Sequence, residues 1–323
     1  MQKIINCFLL CFLASGHAQV CSDFEGPKLN NIGYVLSGYD VYFSNPLPTQ
    51  NVNIDPGKRN QIFDAKYSSS SMTADGRYCV PEGMEIVSCG GSCINDFQTE
   101  FISGSNNYTK KLGIFSSFSG AAFGAKFGAS LDFHHIKKET EYNENLFTQS
   151  EATCCVYSSD IQTFFRPNFA ENFINGLNFL NEDYEERRYR LFIDEFGTHY
   201  VKHADMGAFY GLQSEISHDN WYKMVDNGID IGLYASYGAL EAANFSINYD
   251  KTKAEDFKKH CTEQRIYSRG ATPPSDGSAT TWMQKTIEEP NTLNLVFVPI
   301  YDLIGLREYV SPTVLDNLKQ ALG

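Results

Sequence analysis

The chain has 323 residues, of which 42% are hydrophobic and 20% are charged, and its net charge is -13. This composition is that of a globular protein with a sizeable core, and the length fits one large domain or two. The negative charge argues against nucleic acid as a partner and against simple electrostatic adhesion to anionic lipid, because both favour clusters of Lys and Arg.

The first 18 residues have the order of a secretory signal peptide. The basic Lys3 precedes an apolar run that ends at Leu13, and small residues follow up to Ala18. A membrane anchor is the alternative, but the apolar run is about half of the roughly 20 residues that span a bilayer. The sequence therefore predicts a signal peptide at 1–18, a single mature domain at 19–323, and secretion.

Seven cysteines remain after the signal segment, and an odd number leaves one that is free or bridges to another chain. In an oxidising compartment the others are expected to form disulfides. A metal site is the alternative for the cysteines at 79–93, but no CxxC pair or nearby His completes one. A reactive thiol pair is the alternative for the adjacent cysteines at 154–155. The disulfide candidates are Cys21, Cys79, Cys89, Cys93, Cys154, Cys155 and Cys261.

Regular elements are predicted after a polar loop region at 45–76, which is rich in Asn, Pro, Ser and Asp. Apolar residues at helical spacing predict an amphipathic helix at 168–180 and a second one that ends at Gly197. In the second helix, acidic residues come first and basic residues follow, which suits the helix dipole. The glycine at its end suits a C-terminal glycine cap. A last helix is predicted from Ser311, with a proline as its next residue. Strands are predicted at 94–102, 152–164, 198–216, 262–269 and 293–299.

Two segments alternate between apolar residues and small or polar ones. Every odd position of 121–133 is apolar, and 229–249 repeats the pattern with two clear exceptions, Leu240 and Glu241. A transmembrane β-strand needs roughly 9–11 tilted residues with alternating lipid and lumen faces. An ordinary half-buried strand alternates for the same reason, and alternation alone favours it. The candidates for a membrane-facing side are Phe123, Phe127, Leu131, Phe133, Ile229, Ile231, Leu233, Phe245 and Ile247.

Two Asn-x-Ser/Thr sequons mark glycosylation candidates at Asn107 and Asn244. Both are consistent with secretion. Asn244 lies on the polar side of the second alternating segment, and a glycan there could hardly be carried across a membrane.

A short motif follows the second predicted helix directly, at the start of the strand at 198–216. It consists of an aromatic residue, Gly-Thr-His and a second aromatic residue, and glycines recur farther along the chain. The motif residues are Phe196, Gly197, Thr198, His199 and Tyr200, and the later glycines are Gly207, Gly211 and Gly270. Together with the alternating segments on both sides and the C-terminal stretch at 298–304, this arrangement resembles the membrane attack complex/perforin (MACPF) family over roughly residues 90–310.

The resemblance implies an α+β fold like that of MACPF proteins and cholesterol-dependent cytolysins. In this fold a bent four-stranded antiparallel sheet is flanked by two helical clusters that can become transmembrane β-hairpins, and the glycines are expected to let the sheet bend and open. It also implies a pore former that needs no cofactor and has a target-cell lipid membrane and copies of itself as partners, with room for a separate receptor or targeting partner. Oligomers are required because unpaired backbone groups cost several kcal/mol each in hydrocarbon, so hairpins from many subunits must close one barrel.

Two other interpretations remain. A non-lytic MACPF protein would keep the fold and act in binding or adhesion without inserting, as the very polar segment at 137–145 favours. His199 and His203 have the spacing of zinc ligands on a helix, with Asp205 near by. A zincin, however, needs Glu where Tyr200 stands, and on a strand the two histidines are about 13 Å apart. No nucleophile elbow or P-loop motif is present, and no enzyme is predicted.

Overall fold

A computed structural model of the chain describes residues 21–22, 25–43, 55, 57–67, 71–93, 97–104, 107, 131–165, 167–245, 248–306 and 309–322. At 91–92 and 131–134 it describes the backbone without the side chains. Counts of elements and contacts refer to these residues.

One antiparallel sheet of eight strands is built around two long strands, β5 and β6. The strands are β1 (Ser37–Tyr39), β2 (Lys58–Gln61), β3 (Met84–Cys93), β4 (Gln98–Ile102), β5 (Leu146–Ile161), β6 (His199–Ile216), β7 (Cys261–Arg269) and β8 (Asn291–Pro299). On the outer edge of β5, β4 covers the first half and β3 the second. On the outer edge of β6, β8 covers the first half and β7 the second. The order across the sheet is therefore β3 with β4, then β5, β6, and β7 with β8.

The predicted four-stranded sheet is present in this order, with both edge positions divided between two strands. Register shifts lie near the divisions, at Val156 in β5 and at Leu293 in β8, which is opposite Asp205 and Met206 of β6. Such bulges bend a strand and increase its twist. Of the strand predicted at 94–102, residues 98–102 are present as β4, and β3 before it was not predicted. The loop region predicted at 45–76 contains β2.

The helices lie between strands and at the C-terminal end. They are α1 (Leu131–Glu141), α2 (Glu171–Phe179), α3 (Glu186–Phe196), α4 (His218–Asp226), α5 (Ile231–Ala243), α6 (Lys251–His260), α7 (Ala279–Glu288), α8 (Ile300–Gly305) and α9 (Pro312–Leu322). The helices predicted before Gly197 and after Ser311 are present as α2, α3 and α9. Within the described residues, no helix combines the length and apolar character that crossing a membrane would require.

The main core packs α2, α3, α8 and α9 against one face of the sheet. In α3 the buried side chains follow a spacing of three and four residues, which places them on one face of the helix. They are Tyr189, Phe192, Ile193 and Phe196. Burial of each large apolar side chain contributes about 1.5–3 kcal/mol.

A second core lies on the opposite face of the sheet, where α5 and α7 cover β5 and β6. Tyr210 and Leu212 belong to this core, whereas the neighbouring Phe209 belongs to the main core. Successive side chains on a strand point to opposite faces, so the two cores are separated by the sheet.

Both helical insertions leave the sheet at the same end. The pairing of Ile102 with Phe147 closes β4 and β5 around residues 103–145, which contain α1. The pairing of Ile216 with Cys261 closes β6 and β7 around α4, α5 and α6. Since Ile216 also pairs with Leu146, the four strand ends lie side by side.

Candidate functional site

The signature residues form a buried junction between α3, β6 and β1. Gly197 ends α3 with a φ of 82°, and a Cβ on it would lie 2.5 Å from the carbonyl of Tyr39. A side chain is excluded there by conformation and by space. The Thr198 amide donates to the Tyr39 carbonyl at 3.0 Å, and the Val41 amide donates to the Thr198 hydroxyl at 3.3 Å. These contacts position the start of β6 against β1.

His199 is part of this junction and is 1% exposed. Its Nδ1 lies 2.8 Å from the Thr198 hydroxyl, and its ring meets Phe297 edge-on with centroids 6.5 Å apart. Burial lowers the pKa of His199 to about 3, so the imidazole is neutral at physiological pH. The structure gives this histidine a packing role, like that of the buried Phe196 and Tyr200 on either side.

The predicted sheet glycines allow close approach of neighbouring strands. A Cβ on Gly207 would lie 1.9 Å from the carbonyl oxygen of Cys154, which is across the β5–β6 pair. A Cβ on Gly211 would meet the Tyr267 ring at 2.5 Å, and Gly270 has a φ of 74° beside the carbonyl of Gly207. Because these three glycines have no side chain, the neighbouring strands can pack closely in this state of the molecule.

Most of the second alternating segment is a helix in this state. Its middle is α5. Asp230 caps the start of this helix, because its side chain accepts from the Leu233 amide at 3.1 Å, and the helix ends at Asn244, which adopts a left-handed conformation. Ile231 and Phe245 are buried, Ile229 is half-buried, Leu233 is exposed, and Ile247 lies outside the described residues. The ordinary half-buried strand that alternation alone favours is therefore wrong for this segment.

Two residues explain why a helix forms here. Leu240 and Glu241 break the alternation, and in α5 Leu240 is buried against the sheet while Glu241 is exposed. Ile231, Ala235 and Ala239 are also buried and lie four residues apart, which is the spacing of one helix face. The sequence thus fits a helix and, except at these two positions, a strand.

Most of the first alternating segment, 121–133, lies outside the described residues. Phe123 and Phe127 are outside the described residues, and the side chains of Leu131 and Phe133 are too. The backbone of Leu131 and Phe133 forms the first turn of α1. The membrane-facing assignment of these four residues stays a prediction.

The seven cysteines within the described residues form three disulfides and leave one thiol. Cys21 pairs with Cys79, and two further bridges, Cys89–Cys155 and Cys93–Cys154, join β3 to β5. Cys154 and Cys155 are therefore not a reactive thiol pair. Cys261 is a free thiol, so its inclusion among the disulfide candidates is corrected. Burial raises the pKa of this thiol to about 12, because the thiolate is disfavoured away from water.

The two sequon asparagines are both exposed. Asn244 lies at the C-terminal end of α5, and its Nδ2 donates to the Ser275 carbonyl at 3.1 Å. A glycan on this nitrogen would replace that contact. Glycosylation of Asn107 and Asn244 stays a prediction.

The histidines considered as zinc ligands have separate partners. His199 contacts Thr198, whereas His203 lies between two carboxylates, with Nδ1 2.9 Å from Asp160 and Nε2 3.2 Å from Asp205. Within the described part of the chain, one group of three potential ligand residues lies close enough to share an ion, and it includes none of the residues just named. Its members are His135, Glu215 and Glu263. The sequence pattern did not indicate this group, because the three residues are far apart along the chain.

The sheet, the two inserted helical segments and the buried signature match a known family. A family model for the MAC/Perforin domain matches residues 22–323. The chain belongs to this family. The MAC/Perforin resemblance predicted from the signature is thereby confirmed, and so is the predicted fold class.

Solved structures show the same MAC/Perforin fold. GNIP1Aa from Chromobacterium piscinae has a TM-score of 0.62 at 16% identity, with 91% of this chain and 55% of that chain covered. A MAC/Perforin domain protein from Bacteroides thetaiotaomicron has a TM-score of 0.53 at 13% identity, with 94% of this chain and 62% of that chain covered. The chain thus spans less than two thirds of both proteins, and the similarity shows the fold alone. The sequence has no significant match among curated proteins.

Family membership and disulfides bear on where the protein acts. Disulfides form and persist in oxidising compartments. Together with the MAC/Perforin fold, the three disulfides indicate an extracellular or secreted protein.

Proposed function

We propose that this protein is a secreted, non-enzymatic pore former that oligomerises on a target-cell membrane and inserts β-hairpins. The observation that carries the proposal is the double character of α5, a helix whose sequence alternates like a membrane strand. Membership in the MAC/Perforin family supports the same function.

The position of the insertions supports hairpin formation. Strands β4 and β5 are already antiparallel neighbours, as are β6 and β7, and the inserted residues 103–145 and 217–260 leave from one end of the sheet. If the helices of an insertion unfold, the chain can continue the pairing of the two strands outward. Each insertion is long enough for two arms of the roughly 9–11 residues that a transmembrane strand needs.

The contacts of α5 explain how the soluble state is retained. The helix packs on β5 and β6 through small residues and Leu240, and its neighbour α6 packs against it through Phe257, which meets Gly238. Much of the face that would contact lipid is therefore hidden before assembly. Hairpin insertion then requires many subunits, because only a closed barrel pairs every backbone group in the hydrocarbon region.

Leu233 distinguishes insertion from the soluble fold. Its side chain is 39% exposed in α5, but on a strand it would lie on the apolar side with Ile231. We expect the free energy of unfolding of Leu233→Lys to lie within about 0.5 kcal/mol of that of the unmodified chain. In a membrane strand, Lys at the bilayer midplane costs about 2–4 kcal/mol per subunit, so dye release from liposomes should fall at least tenfold.

Ser236→Lys is the matched control, because Ser236 is on the same helix but on the polar side of the alternation. We expect this variant to keep most of the dye release, and electron microscopy of the liposomes should show rings for the unmodified chain. Equal leakage by the two variants would show that residues 229–249 do not form the proposed membrane strand.

A non-lytic role in binding or adhesion is the second candidate. It is favoured by the polar character of the helices that would supply the partner arms. Of the ten residues in α6, only Ala254 and Phe257 are buried apolar side chains, and Lys258, Lys259 and His260 stand together in the last turn. This function predicts membrane or receptor binding by the unmodified chain without dye release at any protein concentration.

A further inference from the structure

Three potential metal ligands meet at the end of the sheet where the helical insertions leave. His135 comes from α1, Glu215 from β6 and Glu263 from β7, and their ligand atoms all lie within 4.8 Å of one another. His135 Nε2 lies 3.3 Å from Glu215 Oε2. Residues from three separate elements thus converge on one point.

Two of these side chains are held in position by neighbours. Asn145 donates to Glu215 Oε1 at 2.7 Å, which leaves Oε2 directed towards His135. The His135 ring packs edge-on against Phe147, with centroids 5.9 Å apart and an interplanar angle of 75°. Glu215 itself is 8% exposed. Ligands that are oriented in advance by a second layer of contacts favour ion binding.

The charges at this point favour a cation. Glu215 and Glu263 are direct partners in the β6–β7 register, and like charges directly opposite each other destabilise a sheet. Arg265 also lines the cavity, but its Nη2 donates to Gln213 Oε1 at 3.0 Å. An ion between the two carboxylates would relieve their repulsion.

The cavity at this point is suited to a single ion. Its volume is about 20 Å³, close to that of one water molecule and too small for an organic ligand. The amide of Gln213, which is 4% exposed, lines the cavity, and its Nε2 has no hydrogen-bond partner among the described residues. A donor at this position can hold a carboxylate oxygen that ligates an ion, as outer-layer groups do in metal sites.

We propose that His135, Glu215 and Glu263 bind a divalent transition-metal ion of the zinc class. One imidazole nitrogen and two carboxylate oxygens are ligands that Zn²⁺ accepts, and water would take a fourth tetrahedral position. Calcium fits less well, because it prefers six to eight oxygen ligands.

The ion would join α1 to β6 and β7. Since α1 begins within the last residues of the first alternating segment, the ion would hold this insertion against the sheet and oppose hairpin release. This consequence rests on the proposed pore-forming function, whereas metal binding itself does not.

Calorimetric titration of the metal-free full chain with zinc chloride tests the site. We expect one zinc ion per chain, and at least tenfold weaker binding for His135→Ala and for Glu263→Gln. His218→Ala is the matched control, because His218 also faces two carboxylates, Glu144 at 3.7 Å and Asp219 at 3.9 Å. Glu263 is exposed, so its variant tests the site even if His135→Ala folds poorly. No binding, or equal affinity for the unmodified chain and both site variants, overturns the proposal.

A second measurement separates the metal site from the pore-forming function. Saturating zinc should raise the melting temperature of the unmodified chain and slow its dye release, with neither effect in Glu263→Gln. If zinc binds and raises the melting temperature but no dye is released under any condition, the metal site stands and the pore-forming function fails. If zinc binds and dye release is unchanged, the restraint on α1 is wrong.

Discussion

The signature residues Gly197, Thr198 and His199 each make a specific contact where α3 ends and β6 begins. Gly197 touches the Tyr39 backbone where no Cβ fits. Thr198 donates to the Tyr39 carbonyl of β1 and accepts from the amide of Val41, two residues after the end of β1. His199 fills the space beneath them against Phe297. At the residue scale the motif is therefore a packing device that fixes where α3 ends and β6 begins.

Burial of His199 predicts a particular pH dependence of stability. The imidazole has a pKa of about 3 in the folded chain and about 6.5 when unfolded. The unfolded state therefore binds the proton first, and stability falls as the pH drops from about 6.5 towards 3, by at most about 1.4 kcal/mol per pH unit. We expect His199→Gln to be less stable at pH 7.5 but to lose stability less steeply below pH 6.

Denaturant unfolding at pH 7.5, 6 and 5 measures this slope. His218→Gln is the control, because His218 is exposed on α4. Its dependence of stability on pH should have the same slope as that of the unmodified chain. A His199→Gln slope equal to that of the control would contradict the assignment of the acid effect to this buried imidazole.

At the scale of elements, α5 is stabilised less by its intrinsic helix preference than by its caps and its packing. Gly232 and Gly238 lie inside the helix, where each glycine costs about 1 kcal/mol relative to alanine. Asp230 caps the first turn, and Leu240 packs on the sheet. A helix of this kind can be displaced when its packing is lost.

Removal of the cap should make α5 easier to release. We expect Asp230→Ala to lower the stability of the helix by about 1 kcal/mol, and so to raise the dye-release rate up to about fivefold where unfolding of this segment limits it. Hydrogen exchange of the α5 amides and dye-release kinetics measure the two effects. Asp226 is an exposed residue in the last turn of α4, so Asp226→Ala should change neither hydrogen exchange nor dye release. Unchanged hydrogen exchange of the α5 amides in Asp230→Ala would show that the cap does not determine the stability of α5.

At the scale of the whole molecule, the disulfides divide the sheet into two regions. Two bridges join β3 to β5 in the half of the sheet away from the helical insertions. In the described chain, no disulfide joins β4 to β5 or β6 to β7 at the end from which α1 and α4 to α6 leave. One half of the sheet is covalently fixed, while the other is held by noncovalent contacts that can be exchanged.

This division predicts that a β3–β5 disulfide contributes to stability and not to insertion. Replacement of Cys89 and Cys155 together by Ser should lower the free energy of unfolding by about 2–4 kcal/mol. Dye release at a temperature where the variant is folded should stay within twofold of the unmodified chain. Chemical unfolding and liposome leakage measure the two quantities, and a loss of leakage without a loss of folding would show that the fixed half also takes part in insertion.

The sequence alone determined the elements whose pattern is local. The apolar spacing of α2, α3 and α9 reports burial on one helix face, and the signature identified the family because its residues are adjacent in the chain. Strand β5 starts at Leu146, earlier than predicted at 152, since Thr148, Gln149 and Ser150 are polar but buried. Polarity does not reveal burial of this kind.

Only the tertiary structure decided the features that depend on distant residues. Small residues in 229–249 satisfy a strand and a helix almost equally, and packing of Leu240 on the sheet selects the helix. The cysteine count predicted one cysteine that is free or bridges to another chain, and only the placement of β3 beside β5 identified it as Cys261. The group of His135, Glu215 and Glu263 arises in the same way, because sheet register and helix docking bring together residues that no local pattern connects.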